Sequence, residues 1–129
     1  MMTGVDFEKV LFGTLMQNDE LVELVDGKIY ALRIPNGTYL PCVTFQRLSG
    51  MPAHTLQGHS GLEEINLQVD AWGRSYEEAK NVAKAVRSAM PETGSVFGAH
   101  LITDADFYED GVNYYRISME FTCWYLEQE

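Results

Sequence analysis

Two histidines and one aspartate are the residues of this sequence best suited to binding a metal. His54 and His59 lie five positions apart in a stretch rich in glycine and serine, and Asp70 follows on a predicted strand. Imidazole and carboxylate groups are common ligands of Zn²⁺. However, this spacing fixes no coordination geometry, and no cysteine or H-E-x-x-H helix supports the set. We therefore interpret both histidines as solvated loop residues and expect no metal and no cofactor.

The segment QGHSG at 57–61 is a second pattern that could do chemistry. Ser60 follows His59 between two glycines, and covalent catalysis needs a nucleophile beside a base. The order of residues differs from the G-x-S-x-G nucleophile elbow. The sequence also lacks G-x-x-x-x-G-K-[ST] and G-x-G-x-x-G, so nucleotide phosphates have no evident cradle. We predict that the protein is not an enzyme, and we keep a small hydrolase or metal-binding module as the weakest alternative.

Four carboxylates and five aromatic residues near the C-terminus form two further candidate sites. The carboxylates are Asp104, Asp106, Glu109 and Asp110. They lack the spacing of an EF-hand, so we expect a solvated acidic loop. The aromatic residues are Tyr114, Tyr115, Phe121, Trp124 and Tyr125. Base stacking usually needs surrounding positive charge, whereas this chain has nine Lys and Arg residues and a net charge of −10. We therefore expect these rings to pack in the core and at interfaces.

The elements that position these residues follow from apolar spacing and capping signals. VDFEKVLFGTLMQ predicts a helix with Asp6 as N-cap, and DELVELVDG a short helix capped by Asp19 and stopped by Gly27. KIYALRI, LPCVTFQRLSG and LEEINLQVDAW are predicted strands, with a turn at PNG. Between the last two strands we expect a long loop from Ser49 to Gly61, and loops of that length are usually functional or mobile.

The stretch INLQVDAWGRSYEEAKNVAKAVRSAM, at 65–90, predicts a strand, a corner and a helix. Gly73 ends the strand, Ser75 caps the helix, and Glu78 three positions later completes a capping box. Pro91 ends the helix. Its narrow apolar stripe lets it lie close on a sheet. The stripe consists of Ala79, Val82, Ala83, Val86, Ala89 and Met90.

The last third of the chain predicts a hairpin, in which SVFGAHLITDADFY and VNYYRISMEFTCWYLEQ flank the turn EDG. The final strand is long and alternates apolar with polar residues, but Tyr114 and Trp124 lie on its second face. Such a strand indicates either that part of its outer face meets another chain or that it is a plain edge strand.

Length and composition predict one globular domain over residues 1–129. No apolar run approaches the roughly 20 residues needed to cross a bilayer, and MMTGVDFEKVLFG lacks the features of a signal peptide. We therefore expect neither membrane association nor secretion. Cys42 and Cys123 are expected to be buried free thiols.

Several segments, taken in order, resemble the small tail-completion, or tail-terminator, proteins of long-tailed bacteriophages and prophages. They are LPCVTFQRLSG, a Gly/His-rich stretch, LEEINLQVDAWGRSYEEAKNVAKAVRSAM and YRISMEFTCWY. The resemblance covers roughly residues 5–126, and QVDAWGRSYEEAKNVAKAVRSAM is its most specific part. It implies an α+β fold with a mostly antiparallel sheet of four to five strands and two main helices packed on one face.

The resemblance also implies a structural role without catalytic residues. Proteins of this family form a ring, commonly of six copies, that caps the tail tube, ends its polymerisation and provides the head–tail joining surface. The expected partners are further copies of the chain, the major tail tube protein and the head-connector or neck protein. DNA would pass through the lumen without specific binding, which the net charge of −10 favours. The expected location is the virion tail, and the host bacterial cytoplasm during assembly.

Assembly contacts are then expected in the Ser49–Gly61 loop, in the turn from Asp104 to Gly111, and on the exposed side of the last strand. The candidate interface residues are Arg47, Ser49, His54, Leu56, His59, Asp104, Asp106, Glu109, Arg116 and Trp124. The main alternative function is that of a head-completion or neck adaptor in the same morphogenesis pathway.

Overall fold

The computed structural model describes residues 6–55, 58–94 and 96–126, and the side chains of all of these except 6, 51–55 and 58–61. The elements are α1 Asp6–Met16, α2 Asp19–Val25, β1 Ile29–Ala31, β2 Cys42–Thr55, β3 Gly58–Gly73, α3 Tyr76–Ala89, β4 Phe97–Glu109 and β5 Tyr114–Leu126. The strands form a sheet in the order β1-β2-β3-β5-β4. Strands β1 and β2 are parallel, and the other neighbours are antiparallel. The predicted α+β fold with a mostly antiparallel sheet is confirmed.

Alternation along β3 and β5 separates a core face from a polar face, as predicted. The core face comprises Ile65, Leu67, Val69, Ala71, Ile117, Met119, Phe121, Cys123 and Tyr125, each at most 2% exposed. The polar face comprises Asn66, Gln68, Asp70, Trp72, Tyr114, Arg116, Ser118, Glu120, Thr122 and Trp124. The core face packs inside the protein, so residues that could contact another chain lie on the polar face or at the sheet edges.

Helix α3 packs its apolar stripe into the core. It contacts β3 and β5, and Val82, Ala83 and Val86 are buried in the same cluster as the core face. Phe7 of α1 makes edge-on ring contacts with Phe97 and Tyr125, with centroids 5.5 and 5.7 Å apart. These contacts are consistent with two main helices on one face of the sheet. That arrangement stays a prediction.

The corner between β3 and α3 is fixed by Ser75 and Glu78. The Ser75 hydroxyl oxygen accepts a hydrogen bond from the Glu78 N–H at 3.1 Å, as predicted. The reciprocal half of the predicted capping box is wrong, because the Glu78 carboxylate binds Arg74 instead. It accepts from the Arg74 backbone N–H at 2.8 Å and from the Arg74 guanidinium at 2.7 Å. The Arg74 hydrogen bond lowers the pKa of Glu78 below its usual value.

Two predicted helix caps differ from those observed, and the predicted stop of α2 at Gly27 agrees with the structure. Asp6 is the first residue of α1 rather than its N-cap. Asn18, not Asp19, caps α2: its Oδ1 accepts from the Leu21 N–H at 2.9 Å. Asp26, with φ of 54°, is the C-cap of α2, immediately before the predicted stop at Gly27, with φ of 69°. Left-handed residues of this kind end helices because they turn the chain out of the helical path.

The first strand is shorter than KIYALRI predicts. Strand β1 covers Ile29–Ala31 and pairs with Val43–Phe45 of β2. Leu32 has a φ of 71°, which takes the chain out of extended geometry, although its N–H still donates to Phe45 O at 2.8 Å. Strand β2 therefore continues well beyond its parallel neighbour.

The predicted loop from Ser49 to Gly61 is wrong. Strands β2 and β3 continue through it as a paired hairpin, with Ser49 opposite Asn66 and His54 opposite His59. Register shifts between Arg47 and Ser49 and between Pro52 and His54 accommodate the irregular composition, because a bulge tolerates a proline that cannot donate a ladder hydrogen bond. Leu56 and Gln57 lie outside the described residues.

The predicted turn from Asp104 to Gly111 is also largely wrong, since Asp104 to Glu109 belong to β4. The chain reverses at 110–113, where the Asn113 N–H donates to Glu109 O at 2.8 Å. Asn113 has a φ of 58°, a conformation that asparagine tolerates better than most residues. Strand β5 pairs with β3 on one side and β4 on the other, so the alternative of β5 as a plain edge strand is excluded.

Candidate assembly interface

Strand β4 forms one edge of the sheet and is uncovered along most of its length. Every residue from 100 to 108 is exposed. The large apolar side chains among them are Leu101, Ile102, Phe107 and Tyr108, which are 41–58% exposed. Near its start, β4 is covered on the outer side, where the Ala99 N–H donates to Pro91 O at 2.7 Å. A long exposed strand edge is a template for pairing with another chain, so β4 is a candidate interface.

Two predicted interface carboxylates lie on β4 and point to the same side as the core face. Asp106 accepts a hydrogen bond from the Tyr76 hydroxyl at 2.6 Å and lies 3.9 Å from Lys80 Nζ. Asp104 makes no side-chain hydrogen bond or ion pair with any described residue. Asp106 is thus held by α3, whereas Asp104 is free to meet a partner.

Arg116 is the centre of an aromatic and acidic cluster on the polar face. Its guanidinium carbon lies 4.3 Å from the ring centroid of Phe107 and 5.4 Å from that of Trp72, distances at which cation–π attraction operates. Its Nη1 is 3.6 Å from Asp70 Oδ2, and its Nη2 is 3.8 Å from Glu109 Oε1. The side chain is 18% exposed. Arg116 therefore holds the edge strand β4 to β5 and β3.

A second row of contacts runs along the polar face toward the β2–β3 hairpin. Asn66 donates through Nδ2 to Ser49 Oγ at 2.9 Å and accepts through Oδ1 from the Thr122 hydroxyl at 3.3 Å. Trp124 packs edge-on against His100, with centroids 5.3 Å apart. Ser49 and Trp124, both predicted interface residues, thus lie on one face of the sheet.

Arg47, by contrast, is on the side of the core face, beyond the packed helices. It lies opposite Leu67 in the ladder, and its Nη1 is 3.7 Å from Glu63 Oε2. The Arg47 side chain remains 51% exposed. An exposed pair of this length contributes little to stability, so Arg47 remains accessible to a partner.

The proposed metal ligands are not brought together. The backbone places His54 opposite His59 near the tip of the hairpin, whereas Asp70 lies eleven residues along β3 from His59, or about 36 Å at the rise of an extended strand. Asp70 instead accepts hydrogen bonds from Gln68 Nε2 at 2.9 and 3.1 Å. The structure describes the backbone of both histidines but not their side chains. Gly58–Gly61 are part of a strand, not the strand-to-helix turn that a nucleophile elbow requires.

The acidic and aromatic candidate sets are also divided. Glu109 lies on the polar face, whereas Asp104 and Asp106 point to the side of the core face. No group of three or more metal-ligating side chains occurs among the described residues. Phe121 and Tyr125 are in the core, Tyr114 packs on Trp72, and Tyr115 packs on Tyr108. No shared cation site or base-stacking platform results from this arrangement.

A pocket of about 480 Å³ opens between α1, the end of α3 and the start of β4. No titratable side chain is among its lining residues, which are Val10, Thr14, Gln17, Asn18, Ser88, Ala89, Pro91, Gly94, Val96 and Phe97. Acid–base or nucleophilic chemistry needs such a group. This pocket therefore lacks a side chain that could act as a general acid or base.

Both cysteines are free and buried, as predicted. Burial raises the pKa of Cys42 to about 12, slightly opposed by the charge of Lys28, and it raises the pKa of Cys123 to about 12. Because the thiolate is the reactive form, both thiols are inert near neutral pH. They belong to the core, not to a site.

Four large apolar side chains are exposed at positions that the sequence analysis did not single out. Leu48 is 41% exposed at the β2 register shift, and Ile102 is 58% exposed at the corresponding shift in β4. Leu32 and Tyr39, beside β1, are 72% and 82% exposed. A possible signal in β4 was the loss of apolar alternation after Ala99, which indicates a strand without a buried face.

No helix among the described residues is long and apolar enough to cross a membrane.

The comparisons with known proteins agree with this fold. The chain aligns with a solved chain from the "Virion of native gene transfer agent (GTA) particle" at a TM-score of 0.74 and 16% identity, covering 89% of this chain and 90% of the other. The "Structure of bacteriophage SPP1 gp17 protein" aligns at a TM-score of 0.56 and 17% identity, covering 94% and 88%.

Among curated proteins, the comparison gives no match. The sequence model of one family, described as tail completion protein gp17, matches residues 9–126. This match spans α3, the whole sheet and most of α1, so it includes both edges of the sheet as well as the core. The chain therefore belongs to the tail completion protein gp17 family and is a structural protein of the bacteriophage tail.

Proposed function

We propose that this chain assembles into a homo-oligomeric ring of six copies, the number that its family resemblance implies, and that the ring caps the tail tube, ends its polymerisation and provides the surface that joins the head. The observation that carries the proposal is the sheet edge formed by β4, which is exposed on both faces along residues 100–108. A monomeric protein would gain nothing from leaving such an edge uncovered, because exposed edges promote unwanted association.

The ring's partners would be the major tail tube protein on one side and the head-connector or neck protein on the other. DNA would pass through the lumen without specific binding, which a net charge of −10 per chain favours. Residues 1–129 would act as one domain without catalytic activity. Assembly would take place in the host cytoplasm before the finished protein resides in the virion tail.

The proposed contacts lie in two groups of residues. The hairpin group consists of Arg47, Ser49, His54, Leu56 and His59, and the β4–β5 group consists of Asp104, Asp106, Glu109, Arg116 and Trp124. Exposure of Arg47 and the free carboxylate of Asp104 support a direct role for these two residues. Arg116 would act by holding β4 in place.

Binding to purified assembly parts tests the proposal against the neck-adaptor alternative. Purified protein is mixed separately with tail tubes and with head connectors, and each mixture is sedimented and imaged by negative-stain electron microscopy. We expect the protein to sediment with tubes and to appear at one tube end. Binding to connectors but not to tubes would favour a neck adaptor and contradict the tail-terminator role.

A further inference from the structure

The β4 edge of the sheet is acidic. We use this name for residues 100–109, which include three carboxylates, those of Asp104, Asp106 and Glu109, and no Lys or Arg. Their outer side pairs with no other strand among the described residues. Asp104 has no partner within the described chain. This edge therefore offers both unpaired backbone groups and negative charge.

The opposite edge carries an arginine and no acidic side chain, and it is exposed at residues 46–50. Strand β1 pairs with β2 only at Val43–Phe45, so residues 46–55 of β2, the β2 edge, extend beyond it. This segment contains Arg47 and His54 but no acidic residue. Arg33, two residues after the end of β1, is also exposed. Within the described part of the chain, the sheet thus ends in two exposed edges that differ in the sign of their charged side chains.

Each edge also carries a register shift with an exposed aliphatic side chain. Leu48 lies at the shift in β2 and Ile102 at the shift in β4. Such irregularities prevent a flat strand from adding freely to any other edge. A partner edge must match both the bulge and the charge, which limits the partners that can bind.

From these features we infer that the β4 edge of one copy pairs with the β2 edge of the next copy. This inference rests on the proposed function and names the surfaces that close the ring. Pairing β4 with β4 would set carboxylates opposite one another, and pairing β2 with β2 would set arginine opposite arginine. Like charges facing each other across strands are destabilising. Only the mixed pairing brings opposite charges together.

The strand directions allow this pairing. Within one chain β4 runs antiparallel to β2, because β2 is antiparallel to β3, β3 to β5, and β5 to β4. Rotation about an axis along the strands keeps these directions, so β4 would meet the neighbour's β2 as an antiparallel partner. A contact between two different surfaces is heterologous, and it produces a closed ring when the rotation closes.

A pair of engineered cysteines tests the inference. In the variant carrying Leu48→Cys and Ile102→Cys, the two positions within one chain are separated by three strand spacings, about 14 Å, too far for a disulfide. Any disulfide formed after mild oxidation therefore joins two chains. The buried native thiols, with pKa values of about 12, do not compete. The single variants Leu48→Cys and Ile102→Cys are the controls.

We expect the double variant, assembled at elevated salt or on tail tubes, to give a ladder of covalent multimers ending at the ring size. Each single variant should give no ladder. If the wild-type protein caps tubes but the double variant gives no ladder, the edge pairing is overturned and the ring proposal still stands. A wild type that neither self-associates nor caps tubes would overturn both.

A charge reversal provides a second readout. Asp104→Lys is expected to weaken self-association measurably without abolishing it, because it places a positive charge near the neighbour's Arg47. Glu23→Lys, on the exposed side of α2, changes the net charge equally and serves as the matched control. Stronger self-association of Glu23→Lys than of Asp104→Lys supports the pairing, whereas equal self-association of both variants contradicts it.

Discussion

At the scale of single residues, Gly73 shows most directly how closely α3 lies on the sheet. A Cβ at this position would lie 2.6 Å from the Ala79 nitrogen and 3.0 Å from the Ser75 carbonyl oxygen. Both are backbone atoms, so no side-chain rotation can relieve the clash. We expect Gly73→Ala to lower the free energy of unfolding by about 1–3 kcal/mol, the usual range for overpacking.

Gly13 provides the matched control for this prediction. It lies in the middle of α1 with no atom within 4 Å of an added Cβ. Gly13→Ala should therefore raise the stability by up to about 1 kcal/mol, because alanine favours the helix. Urea denaturation of both variants makes the comparison, and a Gly73→Ala variant as stable as wild type would contradict the close packing.

The two thiols predict a pH dependence. Their pKa values in the folded protein are about 12, above the usual value of 9.0. The stability that comes from burying neutral thiols is fully present below about pH 9 and is lost as the pH rises toward 12. Wild type should thus lose more stability between about pH 8 and pH 10.5 than the variant Cys42→Ala/Cys123→Ala. Both proteins contain the same tyrosines, so tyrosine ionisation affects the two equally. An equal loss of stability in the two proteins would contradict the burial of the thiols.

Residue patterns predicted the core well and the polar face poorly. The alternation from Ile65 to Ala71 identified buried positions because period-two spacing reports burial directly. Asp70, Trp72 and Arg116 form a cluster across strands that are distant in sequence, and spacing along one strand carries no information about which strand lies beside it. For that reason the sequence alone allows Asp70 to be considered only as a candidate metal ligand, an interpretation that we do not favour, and does not reveal that Asp70 lies beside Arg116.

At the scale of elements, the Ser75 cap is expected to set the stability of α3. Ser75→Ala removes the acceptor for the Glu78 N–H and should cost about 1 kcal/mol. Ser88→Ala, at an exposed position near the end of the same helix, should change stability by only a few tenths of a kcal/mol. Thermal unfolding followed by circular dichroism compares the two variants, and an equal effect would exclude capping as the cause.

The β2–β3 hairpin shows where element prediction fails. Gly50 and Pro52 disfavour a strand locally, yet the two strands pair from Cys42 with Trp72 to Thr55 with Gly58. Cross-strand pairing within the hairpin outweighed the local preference. The unit from β3 through α3, by contrast, was predicted almost in full, because its caps, stripe and stop are all local signals.

At the scale of the whole molecule, the net charge of −10 opposes self-association. Edge ion pairs are exposed and individually weak, so we expect long-range repulsion between subunits to dominate and the edge charges to select the partner and register. Raising the salt from about 20 mM to about 500 mM shortens the screening length severalfold. Sedimentation velocity should show the oligomer increasing over this range, and a ring that is most stable at the lowest salt would contradict this balance.

Growth of the tail tube tests the central claim most directly. Major tail protein is allowed to polymerise in the presence and absence of this protein, and tube lengths and ends are measured by electron microscopy. We predict that added protein stops elongation and leaves a ring with a central hole at one end of each arrested tube. Tubes that continue to lengthen at the same rate, with bare ends, would contradict a tail-terminating function.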